Sequence, residues 1–169
     1  MRCLYRMSEK GIDNFWAWAQ SCYESENLKN QLLELQADAD LLILEALTAG
    51  WFAQKGWRLG EKELIGLRDH TLPWVSMVIK PLRVQRFIWK ESTRMETSRI
   101  FLTELELRAE WYLARLMFEF LELNFEPGSE PEHSTIELYR ENLWILLPWE
   151  ESGLESQFDR LVELFCESA

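Results

Sequence analysis

With 169 residues, of which 47% are hydrophobic and 13% aromatic, the chain can bury a substantial core, which excludes a disordered or low-complexity protein. A formal charge of -11 and a pI near 4.7 suit a solvated acidic surface and disfavour a duplex nucleic-acid binder, which carries the opposite sign. Cys3, Cys22 and Cys166 are too few and too scattered for a disulfide framework or a zinc motif.

Charge is segregated along the chain. Residues 54–103 hold ten of the 18 Lys and Arg against five acids, whereas residues 104–169 hold four against sixteen. The start, with Met1 or Met7 as the initiator, lacks the apolar run of a signal peptide, and no apolar run is long enough to span a bilayer. These features place the expected protein in the cytoplasm.

Glycine and proline are scarce, at seven and five, so helices are favoured over hairpins. Asp13 is expected to cap a first helix carrying Phe15, Trp18, Ala19 and Cys22 on one face. Leu28, Leu32 and Leu35 mark a short second helix. Asp38 or Asp40 is expected to cap the most apolar helix, Leu41 to Lys55, stopped by Gly56. Its polar strip is narrow: Glu45, Thr48 and Lys55. A weaker helix opens at Gly60 and Glu61, another starts at Thr71–Pro73, and Pro81 is expected to kink or restart it.

The longest uninterrupted stretch, about 94–125, contains no proline or glycine and predicts a rod roughly 40–45 Å long. Thr93 and Glu96 have capping-box spacing at its start. Its apolar residues form two faces, one with Leu102, Leu105, Ala109, Tyr112, Leu116, Phe120 and Leu123. The other has Ile100, Leu107, Trp111, Ala114, Phe118, Leu121 and Phe125. Two apolar faces predict neighbours on both sides. Thin ridges, one with Glu104 and Arg108, the other with Arg99, Glu106 and Glu110, separate them.

A proline-, glycine- and acid-rich linker follows at about 126–134. Two amphipathic helices then come, 135–147 and 153–167, with capping-box spacing at Ser134–Glu137 and Ser152–Glu155. The expected fold is all-α: an irregular bundle of about eight helices around the long central one. It has a core domain over 1–125 and a C-terminal helical pair over 135–169, packed on the core or on a partner.

The clearest constellation is cationic and aromatic. Arg83, Arg86 and Lys90 fall within about 60° on a helical wheel, with Phe87 and Trp89 beside them. Such a ridge can hold a small anionic or phosphorylated ligand, with Glu45 as a candidate acid, or single-stranded nucleic acid by stacking. It can also pair internally with acids such as Glu45, Glu104 or Glu106, which is the blander and favoured outcome. Asp38, Asp40 and Glu45 could do acid–base work or bind a metal, but cap-and-surface roles explain them more simply. His70 and His133 make no metal motif, and nothing in the spacing supports a Cys22–His70 nucleophile pair. No phosphate loop, GxGxxG or GxSxG is present. No catalytic residue, metal ligand or cofactor is therefore expected.

Several short motifs resemble a small family of uncharacterised bacterial helical proteins, classed as a domain of unknown function. They are Asn14-Phe15-Trp16-Ala17-Trp18, Leu35-Gln36, Asp40-Leu41-Leu42-Ile43-Leu44, Trp74, and Lys80-Pro81-Leu82-Arg83 with Arg86. The resemblance covers roughly residues 13–125 and implies an all-helical bacterial protein with no assigned activity. The functional expectation is a non-enzymatic binding or adaptor protein, with a protein partner or self-association. The alternative is a binding protein or enzyme for a small anionic ligand at Arg83, Arg86 and Trp89.

Overall fold

The computed structural model describes residues 9–90, 93–126 and 134–168. The helices are α1 (Glu9–Glu24), α2 (Glu26–Ala39), α3 (Ile43–Gln54), α4 (Glu61–Trp74), α5 (Lys80–Trp89), α6 (Glu96–Asn124), α7 (Thr135–Trp144) and α8 (Glu155–Ser168). A π segment, Val75–Ile79, joins α4 to α5, and a 3-10 turn, Thr93–Met95, precedes α6. No strand occurs among the described residues. Most of the expected linker, residues 127–133, lies outside the described residues, as do Cys3, His133 and both candidate initiators.

The sequence predicts about eight helices; the described residues form seven, because α4, the π segment and α5 run on without a break. Neither proline ends a helix. The hydroxyls of Thr71 and Ser76 donate to the carbonyls of Leu67 and Leu72, a back-bonding that bends a helix. The Lys80 N–H then reaches five residues back to the Val75 carbonyl. This wider turn shifts the hydrogen-bond register just before Pro81, which has no N–H and stands at the start of α5.

Three cap expectations are also corrected. Asp13 lies inside α1. Asp40 terminates α2 rather than starting α3: it is left-handed at φ 53°, and its N–H donates to the Leu35 carbonyl. Aspartate is among the few residues that tolerate that conformation, so one letter can serve either helix end. α8 begins at Glu155, and Ser152 instead sits in the preceding turn, donating its N–H to the Pro148 carbonyl.

Other expectations hold. Gly56 ends α3 with φ 76°; its N–H donates to Ala53, and that of Trp57 to Phe52, the paired bonds of a Schellman stop. The Ser134–Glu137 capping box forms with both reciprocal bonds.

The described residues divide into two compact units: Ile65–Asn124, and residues 9–64 combined with those from Phe125 onward. In the second unit, α7 packs on α3, and α8 packs on α2 and α7. All residues from Ile43 to Ala53 are buried. Gly50 permits close approach, since a Cβ there would stand 2.8 Å from the Phe165 ring. That ring stacks on Trp18 and on Tyr139. Asn142 pins the turn after α3: its Oδ1 accepts from the Leu59 N–H, and its Nδ2 donates to the Ala49 and Trp57 carbonyls.

The first unit is a helical hairpin. α5 and the π segment pack on α6, which spans 29 residues. Its buried residues are Leu102, Glu106, Ala109, Leu113, Ala114, Met117, Phe118 and Leu121. The two-sided embrace that the periodicity suggests is not found along the whole rod. Ile100 and Leu107, on the second face, are 61% and 50% exposed, and cover on that side begins with the half-buried Trp111 and is complete at Ala114.

Candidate functional site

The hairpin carries both features of chemical interest. The rod from α4 to α5 runs antiparallel to α6, so Trp74 meets Ala109 and Tyr112 while Arg86 meets Glu106. On a helical wheel of α6, Glu106 and Glu110 lie to one side of the Leu102–Ala109 line, and Leu105, Arg108 and Tyr112 to the other.

The first side is an ion-pair network. Glu106, only 6% exposed, accepts from Arg83 Nε at 3.2 Å and from Arg86 Nε and Nη2. Arg83 Nη2 donates to Glu110 Oε1 at 2.8 Å. Two guanidiniums thus face two carboxylates, so the network is neutral as a whole. Burial pushes the Glu110 carboxyl above its ordinary range, the Arg83 hydrogen bond pulls it partly back, and the Glu106 charge adds to the rise. A buried charge persists only when paired and hydrogen-bonded, and Glu106 is paired twice.

The residues singled out in the cationic ridge are therefore placed as follows. Arg83 and Arg86 are brought together on Glu106, each donating from Nε and Nη2 to a carboxylate of the chain. Trp89 is half-buried at the end of α5, and Lys90 just beyond it is exposed. Glu45 is buried on α3, in the other unit. Asp38 lies within α2, and Thr48 next to Glu45's turn donates its hydroxyl to the Leu44 carbonyl. Among the described residues, no three His, Cys, Asp or Glu side chains stand together as a metal site.

The second side is an open apolar groove of about 650 Å³. Trp74, Met77, Val78, Pro81, Leu82 and Gln85 form one wall, and Leu102, Leu105, Arg108, Ala109 and Tyr112 the other. Each member has a local cause. The Trp74 indole is fixed by its N–H, which donates to the Ala109 carbonyl at 2.9 Å, and by Tyr112, whose ring centroid is 4.6 Å away. The π segment carries Met77 and Val78 into the wall. π-bulges inside helices occur frequently at functional sites.

The groove belongs to a wider pattern. Of the fifteen exposed large hydrophobics among the described residues, twelve lie between Ile65 and Leu123. Met77 is 76% exposed at the groove rim. The only charged lining residue is Arg108, which makes no ion pair among the described residues; the amide of Gln85 and the hydroxyl of Tyr112 are further polar groups of the lining. Where exposed apolar residues form one large patch, they mark interaction sites.

Sequence reasoning did not assemble this groove. The available signal was a pair of prolines, Pro73 and Pro81, bracketing Trp74–Lys80 within a stretch that otherwise reads as helix. Two breakers in a continuous helix require an irregular turn between them, and an irregular turn re-aims the side chains it carries.

Fold and groove together define an all-helical fold whose most distinctive surface is the apolar groove of the hairpin. The chain belongs to the family described as protein of unknown function (DUF2390), whose model matches residues 14–117. That span takes in both walls of the groove and the whole Arg83–Arg86–Glu106–Glu110 network, and stops before α7 and α8. No curated protein and no solved structure matches the chain significantly. No helix among the described residues is long and apolar enough to cross a membrane.

Proposed function

We propose that this protein is a non-enzymatic binding protein that recruits a protein partner through the apolar groove between α5 and α6. One observation carries the reading: a 650 Å³ trough walled by apolar side chains, with the exposed Met77 and Leu105 at its edges, on a hairpin rich in uncovered hydrophobics. Leaving such surface in water has a cost near 25 cal/mol per Å², so it suits a surface that is covered during function. The engagement of Arg83 and Arg86 by Glu106 and Glu110 weighs against an anionic ligand at those arginines. Free thiols at Cys22 and Cys166 suit work in the reducing cytoplasm.

The test is a comparison of affinity-purified wild type with a Met77→Glu/Leu105→Glu double variant, both positions being exposed. A discrete set of co-purifying proteins, lost in the double variant with the fold intact by circular dichroism, supports the reading. The same set on both proteins contradicts it.

A further inference from the structure

We infer that the occupant of this groove is an amphipathic helix of another protein, seated with an acidic side chain against Arg108. The inference rests on the groove being the working surface, and adds what fills it.

Length comes first. The walls run from Trp74 to Gln85 and from Leu102 to Tyr112, which is roughly 15 Å of helix on each side, or about three turns. A helix of that length presents anchors at i, i+4 and i+7, the spacing that helix-in-groove recognition uses. A third helix laid between two antiparallel ones also extends the bundle by ordinary ridge-and-groove packing. The trough is open along its side, so a small apolar ligand would leave one flank in water, whereas ligand pockets bury most of the molecule they hold. Met77, unbranched and exposed at the rim, can adapt to the anchor it meets.

Charge then selects the kind of helix. Arg108 is the single charged group of the lining, and no carboxylate of the described residues engages it. A guanidinium beside an apolar trough is best satisfied by a partner carboxylate in bidentate contact. Three helices of a second copy of this chain fit poorly. Its acidic helices α7 and α8 turn their apolar residues inward, burying Leu143 and Phe158 among others. Its α5 contains no acid and three cations, so it would set like charge against Arg108.

The experiment uses the full chain and fluorescein-labelled 16-residue synthetic peptides with leucines at i, i+4, i+7 and i+11. One carries glutamates on the flanking positions, one lysines there, and one has its leucines permuted off the helical face. Fluorescence anisotropy should show the glutamate peptide binding at least tenfold more tightly than the other two. Arg108→Glu should reverse the preference between glutamate and lysine peptides, and Met77→Glu should weaken both. Equal affinity of the first two peptides, or no reversal in the Arg108→Glu protein, overturns the inference. So does a melting temperature raised by dodecanoate but by no peptide, which assigns the groove to a small amphiphile. A dimer by light scattering that Arg108→Glu dissociates likewise overturns it in favour of a second copy. If the peptides fail while the double variant still loses its co-purifying proteins, only the inference falls. If both fail, the binding reading falls with it.

Discussion

Removing the Glu106 carboxylate should be the most damaging single charge deletion in the hairpin. Glu106→Ala strips Arg83 of one of its two acceptors and Arg86 of its acceptor. Breaking one side of a buried pair costs about 3–5 kcal/mol when the remaining charge is left dry and alone. Neither condition is fully met here. Arg83 keeps Glu110, and the Arg86 side chain is 43% exposed, so water screens much of its loss. A cost of about 2–3 kcal/mol remains, including the lost packing of the side chain. For a chain of this size, that corresponds to a melting temperature roughly 4–12 °C lower. Glu106→Gln keeps the shape and one acceptor, and should cost about half as much. The assay is urea unfolding followed by circular dichroism, with Glu119→Ala as the reference. Glu119 is also ion-paired, to Arg115, but both side chains are half-exposed, and such pairs contribute about 0–1 kcal/mol. If Glu106→Ala and Glu119→Ala lower stability equally, the network does not hold the hairpin and the reasoning fails.

Four further outcomes follow from the same structure. Asn142→Asp should destabilise by about 2–4 kcal/mol in urea unfolding, because a carboxylate can still accept from Leu59 but cannot donate to the carbonyls of Ala49 and Trp57; a neutral result would show that the turn is held otherwise. Gly50→Ala should cost about 1–3 kcal/mol because the fully buried Phe165 ring cannot retreat, while Gly66→Ala should be near neutral because the half-buried Phe120 ring can swing aside and alanine favours the helix. Glu110, whose carboxyl is raised above its ordinary range by burial, binds its proton more tightly folded than unfolded; stability is therefore lost as pH rises from the ordinary carboxylate range through the raised one, and the wild type should lose ground to Glu110→Gln over that rise in parallel urea titrations. Finally, iodoacetamide at pH 8 with mass spectrometry should alkylate the partly exposed Cys166 before the buried Cys22, whose thiol is pushed up to about 12.

What could be read from the sequence was whatever depends on near neighbours in the chain. The leucine spacing of α2, the glycine stop of α3 and the Ser134–Glu137 capping box are local, and all three form as expected. Asp40 misled because a helix end is a property of backbone conformation, and aspartate serves both kinds of end. Pro73 misled because the helix runs on through it, bent by the hydroxyls of Thr71 and Ser76, and Pro81 stands in the first turn of α5 directly after the π register. Glu106 reads as one member of a thin polar ridge. It is buried because α5 lays Arg83 and Arg86 across it, a coincidence of two helices 20 and 23 residues apart in sequence. The same logic applies to Ile100 and Leu107: periodicity shows that they are apolar, and only the packing shows that nothing covers them.

The account is tested most directly by methyl NMR on protein carrying labelled methionine methyl groups. Met77 is 76% exposed at the groove and Met117 is 1% exposed inside the hairpin, so a soluble paramagnetic probe should broaden the first and spare the second. Adding the glutamate peptide should shift the Met77 methyl and shield it from the probe, with Met117 unchanged. A Met77 methyl already shielded in the free protein, or one indifferent to the peptide, would contradict the claim that this groove stands open to receive a helix.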